Sequence, residues 1–289
     1  MTTNPKLEFI QLAKELTCSD DIEVILAAAR KLEGYLGEDA EDDAEYSLPE
    51  TPIPFMEQCN IWTVAHGLVP LRLYDFQKGW VDWLHDDPVS STPQPEILIS
   101  ARQMGTSTIM PLYGTYLAVQ KPWTKVMVVS PRHYAAIETR DRVQAAIEGM
   151  GLPVDKIAKT KITFQNGSEI TFGGPNDLGR GTSPEAFNVL IMLDAAFYPY
   201  SLDHDLMSYT MRALHGGTRV IVASSPRFGK GFLFDLIDKH QFPYMTTTYR
   251  AHVDRDPKWA EDMKKSISPS NWMSEMECQF IMVDDEPEK

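Results

Sequence analysis

Four short runs, EILIS (96–100), KVMVVS (125–130), NVLIMLD (188–194) and RVIVASS (219–225), are apolar at almost every position. A strand with one wet face alternates apolar and polar side chains, whereas an unbroken apolar run is covered on both faces. Helical stretches lie between and after these runs: TSTIMPLYGTYLAVQ (106–120), PRHYAAIETRDRVQAAIEGM (131–150), LDHDLMSYTMRALH (202–215) and GFLFDLIDKH (231–240). The alternation predicts an α/β fold, a mostly parallel sheet with helices on both faces. KITFQNGSEITFGG (161–174) adds a β-hairpin, with Asn166-Gly167 as a two-residue turn. YDFQKGWVDWL (74–84) reads as a helix, and residues 257–280 as two helices joined near SPS. Trp80, Trp83, Trp259 and Trp272 sit at helical spacing and are expected in the core.

Charge divides the chain. The net charge is −14, and residues 1–50 hold thirteen of the 41 acids but only four of the 27 bases. This stretch reads as an acidic segment of two amphipathic helices, and residues 51–69, which open with Pro52 and Pro54, as a linker or arm. Residues 284–289 form an acidic tail. An acidic surface opposes sequence-independent nucleic-acid binding, which depends on Lys and Arg at phosphates. One local basic face along Arg132, Arg140 and Arg142 is the exception to weigh, against a helix surface paired with Glu138 and Asp141. The apolar runs fall short of a membrane span, and MTTNPKLEFI lacks the order of a secretory signal. Cys18, Cys59 and Cys278 lie too far apart in sequence for a zinc knuckle and read as ordinary thiols. A soluble, cytosolic protein is expected.

In an open α/β sheet, ligands bind at the carboxyl ends of the strands. Three such ends carry polar residues. EILIS runs into ARQMGTST (101–108), a turn and helix start able to wrap phosphates with backbone N–H groups. Ser107 or Thr108 offers a hydroxyl to Mg²⁺, and Asp194, closing NVLIMLD, a carboxylate. RVIVASS ends in Ser224 and Ser225, before PRFGKG.

These residues resemble the N-terminal ATPase domain of the large terminase subunit of tailed bacteriophages, the motor that packages DNA. The resemblance spans roughly residues 70–281. LRLYDFQ (71–77) is similar to the family's adenine-contacting segment, SARQMGTST (100–108) to its phosphate loop, and NVLIMLDAAFYP (188–199) to its Walker B strand. VIVASSPRFGKGFLFDL (220–236) is similar to the coupling motif; the hairpin, GRGTS (179–183) and NWMSEMECQF (271–280) match in place. The resemblance implies a P-loop NTPase of the RecA-like class with an added N-terminal helical segment, the ATPase domain spanning 70–283. It implies Gln77 at the adenine and Arg102 at the γ-phosphate, with Gly105, Thr106, Ser107 and Thr108 in the loop. Ser107 and Asp194 are implied at Mg²⁺, and Ser224 and Ser225 in the coupling motif.

Two positions depart from the family. Thr106 stands where it has the phosphate-reaching lysine, and Ala195 where it has the catalytic glutamate. Phosphoryl transfer is mostly positioning and charge stabilisation, so both losses predict weak ATP·Mg binding with little or no hydrolysis. Lys230, Arg180, Asp203 and Asp205 are the candidate replacements. A working motor using displaced residues, such as Lys230 and Arg102, stays open, as does an ATPase domain carrying Thr106 and Ala195 as engineered substitutions. A helicase-like ATPase is disfavoured by the lack of a second RecA-like half. The family's nuclease domain is not expected in this chain. The partners implied are phage DNA, the portal, the small terminase subunit or an intact motor subunit, in a ring, in the host cytoplasm.

Overall fold

The computed structural model describes residues 48–63, 66–86, 93–178 and 186–282. The expected N-terminal helices, the GRG loop with Arg180 and the acidic tail lie outside them.

The four apolar runs form β3 (Glu96–Ser100), β4 (Lys125–Val129), β8 (Val189–Leu193) and β9 (Arg219–Ser224). They sit mid-sheet in the order β3, β9, β8, β4. β7 (Glu169–Gly173) runs parallel to β4, and β10 (Tyr244–Thr247) parallel to β3. β6 (Lys161–Phe164) and β5 (Val154–Ala158) close the far edge antiparallel. The mostly parallel sheet is the one the sequence predicts. β5 and β10 are additions to the predicted strands. Both are edge strands with little buried surface, so neither carries an apolar run.

Alternate residues of the central strands serve opposite faces. Ile97, Ile99, Met127, Val129, Leu190, Met192, Val220 and Val222 pack with Leu206, Tyr209 and Ala213 of α5 (Asp203–His215) and with Phe232, Leu233 and Leu236 of α6 (Phe232–Asp238). Ile191 and Val126 point the other way, at α3 (Thr106–Gln120). A Cβ on Gly114 of α3 would lie 2.8 Å from Ile191 Cδ1, so this glycine sets how closely α3 approaches the sheet. α2 (Asp75–Asp86) and α4 (His133–Ile147) are the remaining helices before the hairpin, and α7 (Pro257–Ser266) follows β10. A helical turn at Pro269–Asn271 then widens into a π-turn over Trp272–Met276. Trp80 and Trp272 are buried as expected, while Trp83 and Trp259 are half-buried.

Two expectations of local structure change. The hairpin loop has three residues, not two: Phe164 N–H donates to Ser168 O (2.9 Å), and Gly167 takes φ +80°. The asparagine is drawn away from a two-residue turn because its Nδ2 donates to Ala118 O and Val119 O at the end of α3. The stretch expected as an arm is structured. α1 (Pro52–Glu57) buries Phe55 and Met56, with the Phe55 ring 5.6 Å from Tyr116, and β1 (Asn60–Thr63) pairs with β2 (Gly67–Pro70). Burial pushes the thiols of Cys59 and Cys278 up to about 12, as suits structural cysteines. No helix among the described residues is long and apolar enough to cross a membrane.

Candidate functional site

β3 ends at Ser100, and α3 starts at Thr106 with Gly105 as its N-cap. Gly105 holds φ +93°, a left-handed value that glycine takes at no steric cost. A Cβ there would also lie 2.6 Å from Gln77 Nε2. The first N–H groups of α3 have no intrahelical acceptor and carry the positive end of the helix dipole.

The loop is fastened from both sides of the sequence. Gln77 Nε2 donates to Met104 O (2.9 Å), and Gln77 Oε1 accepts from Tyr74 N–H (3.0 Å). Arg255 Nη2 donates to Arg102 O (3.1 Å) and Gln103 O (3.0 Å). Arg102 N–H donates to Glu275 O (2.8 Å), and its Nη1 meets Glu275 Oε1 at 3.0 Å. The Arg102 guanidinium lies 5.6 Å from the Phe197 ring centre.

Above the loop is a cavity of about 440 Å³. The loop lines it with Arg102, Gly105, Thr106, Ser107 and Thr108, and the ends of β8 and β9 add Asp194 and Ser225. A third wall comes from α4. Ala135, Glu138, Thr139 and Arg142 recur three and four apart, so they share one helix face, and all four line the cavity. The Asp194 carboxyl sits above the ordinary carboxylate range: burial raises it, and the charges of Arg102 and Arg142 only partly offset this. Asp194 takes φ +51° and donates its N–H to Ala223 O (2.7 Å), locking the end of β8 to β9. Ser224 continues this lock: its Oγ accepts from Ala196 N–H (3.1 Å) and donates to Ser225 O (2.8 Å).

Most of the predicted site residues therefore meet at one cavity: Arg102, Gly105, Thr106, Ser107, Thr108, Asp194 and Ser225. Gln77 lies beneath the loop and Ser224 behind the strand ends. Lys230 is not among the lining residues; its ammonium sits 5.1 Å from the Tyr200 ring centre. Asp203 accepts from Phe232 N–H (3.0 Å) at the start of α6, and Asp205 lines a separate cavity with Arg212. The three arginines weighed as a basic face do not form one. Arg132 is exposed, Arg140 pairs with Asp141 (2.8 Å), and Arg142 turns to the cavity. The reason is helical geometry: residues two apart, such as 140 and 142, point to nearly opposite sides of a helix.

The sequence places Glu138 and Arg142 on a helix surface rather than at the site, and does not point to Thr139, Arg255 or Glu275. The stripe at 135, 138, 139 and 142 was a usable signal for Glu138, Thr139 and Arg142. Arg255 and Glu275 are about 150 and 170 residues from the loop, and nothing local marks them. Chemically, the cavity offers hydroxyls, a helix N-terminus and guanidinium groups to an anion. Asp194 and Ser107 or Thr108 are oxygen donors of the kind Mg²⁺ takes alongside water and phosphate. No cluster of three His, Cys, Asp or Glu suited to holding a metal alone occurs among the described residues.

No protein-family model matches the sequence, and no curated protein matches it. Solved structures do. The HK97 bacteriophage large terminase matches 80% of this chain and 55% of its own, with TM-score 0.60 and 18% identity. The Thermus phage P74-26 large terminase ATPase domain matches over 73% of this chain and 94% of that domain, with TM-score 0.54 and 14% identity. The large terminase of a thermophilic bacteriophage, solved in complex with ATP-γ-S, matches over 73% of this chain and 53% of its own, with TM-score 0.54 and 12% identity. The fold is thus that of a phage large terminase ATPase domain, as the sequence resemblance implies. The chain spans about half the length of the HK97 protein and of the terminase solved with ATP-γ-S.

Proposed function

We propose that this domain binds a nucleoside triphosphate with Mg²⁺ in phage DNA packaging, and turns it over slowly or not at all. The cavity carries the reading: a glycine turn, the free start of α3 and Asp194 converge at the carboxyl edge of a parallel sheet. The ATP-γ-S complex of the thermophilic phage terminase, which shares the fold, supports it. When bound, Mg²⁺ would neutralise phosphate charge beside Ser107 and Asp194. Thr106 faces the cavity with a hydroxyl in place of an ammonium, and buried Ala195 offers no carboxylate to orient a water. Such losses in comparable sites cost roughly 10²–10³ in rate for one electrostatic donor. The role that follows is a nucleotide-holding or structural subunit beside a portal, a small terminase subunit or an intact motor chain, in the host cytoplasm.

One observation favours a second reading, a working motor with displaced charges: Glu138 and Arg142 both line the cavity. Calorimetry with ATP-γ-S, with and without Mg²⁺, and a steady-state ATPase assay with DNA test both readings. Mg-dependent binding without turnover is the result expected. Turnover that vanishes in Asp194→Ala would establish the motor instead, and no binding at all would end both.

A further inference from the structure

We propose that Arg142 is the cation that holds the terminal phosphates of the bound nucleotide, a part that Thr106 cannot play. The proposal rests on the nucleotide reading of the cavity and names the group that makes it work.

The cavity has two guanidinium groups, and they differ in what holds them. Arg102 is committed. Its side chain pairs with Glu275 at 3.0 Å and lies against Phe197, and its backbone is held by Glu275 and Arg255. The Arg142 side chain makes no hydrogen bond or salt bridge with another described residue, and the charge it faces across the cavity is that of Asp194. This is notable because Glu138 stands four residues before it, the spacing at which Glu and Arg on a helix ordinarily pair. Both side chains instead line the cavity. The neighbouring Arg140 shows the alternative, being bonded to both Asp141 (2.8 Å) and Gln144 (2.6 Å). Lys230, the other candidate cation, is stacked on Tyr200 outside the cavity.

A guanidinium suits this task. Its planar fork of donors can bond two phosphate oxygens at once, and it stays charged at any physiological pH. α4 is also a rigid support, since Ala136, Thr139, Val143 and Ala146 are buried on its inner side. Glu138 narrows the ligand class. A carboxylate on the same stripe repels a bare phosphate but tolerates one whose charge is shared with a divalent cation. The site as built selects a Mg-bound nucleoside triphosphate over free orthophosphate.

The test is calorimetry on the full chain with Mg·ATP-γ-S, Mg·ADP and inorganic phosphate, comparing wild type, Arg142→Ala, Arg142→Lys, Lys230→Ala and Glu138→Gln. Arg142→Ala should weaken Mg·ATP-γ-S roughly tenfold or more, the scale of a lost charge-assisted hydrogen bond. It should weaken Mg·ADP less. Arg142→Lys should recover part of the loss, and Lys230→Ala should bind as wild type. Glu138→Gln should improve nucleotide binding in EDTA. Arg142 is exposed and its one charged neighbour is Asp194, so thermal unfolding of Arg142→Ala should stay close to wild type at a pH low enough to protonate Asp194, separating a binding defect from misfolding. Equal affinity of wild type and Arg142→Ala would overturn the proposal and leave the nucleotide reading standing. Failure of the wild type itself to bind nucleotide would remove both.

Discussion

Asp194 ionises against its surroundings. Burial raises its affinity for a proton above that of the unfolded chain, even with Arg102 and Arg142 facing it. The contribution to stability is therefore full below the ordinary aspartate range and is lost as pH rises through the elevated value. Asp194→Asn cannot ionise and escapes this loss. Its thermal midpoint should exceed that of wild type at pH 7, and the gap should close on acidification; a midpoint below wild type at pH 7 would refute the assignment. Gly105 is constrained twice, by φ +93° and by Gln77 Nε2 at 2.6 Å from a would-be Cβ. Gly105→Ala should cost about 1–2 kcal/mol in denaturant unfolding from the left-handed backbone alone, plus a steric part. Adding Gln77→Ala should relieve only the steric part, which a double-mutant cycle would read as coupling.

Elements are joined at the opposite end of the sheet by Arg219, at the start of β9. Its Nε and Nη2 donate to the Glu96 carboxylate of β3 (2.7 and 2.6 Å), Nη1 donates to Tyr113 Oη of α3 (2.9 Å), and Nη2 also reaches Leu84 O of α2. Four elements meet at one largely buried guanidinium. Removing one partner of such a pair leaves a charge stranded, so Glu96→Ala should lose about 3 kcal/mol of unfolding free energy. A loss near zero would show the strut to be idle. The strands it ties, β3 and β9, were legible in the sequence because burial on both faces writes an unbroken apolar run. α3 was legible to its ends, Thr106 and Gln120, because Gly105 precedes it and Pro122 pushes Lys121 out of the helical region. Edge strands β5 and β10 were not, since half-exposed backbone pairing leaves little mark on side chains. The α1–β2 region was hidden by its prolines, although Phe55, Met56 and Cys59 are fully buried.

At the scale of the molecule, the candidate site was legible where it is local and illegible where it is assembled. Gly105, Ser107 and Asp194 are visible in short motifs at strand ends. The fastening of the loop by Gln77, Arg255 and Glu275 joins positions up to 173 residues apart, and only the folded chain brings them together. Glu275 also restrains the Arg102 side chain through an ion pair half open to water. Glu275→Gln should release that guanidinium toward the cavity and tighten Mg·ATP-γ-S a few-fold by calorimetry; unchanged or weaker binding would show that Arg102 does not take part. Nucleotide at a hundred times Kd should raise the unfolding free energy of the domain by about 2.7 kcal/mol, read as a higher thermal midpoint.

The double hold of the π-turn on the loop, through Arg102 N–H and its guanidinium, couples two places in a way that must run in both directions. Whatever factor an anion gains or loses by having residues 272–276 docked, those residues gain or lose in docking when the anion arrives. A neighbour that tugged on this turn would thereby act as a remote control on the occupancy of a pocket it never touches.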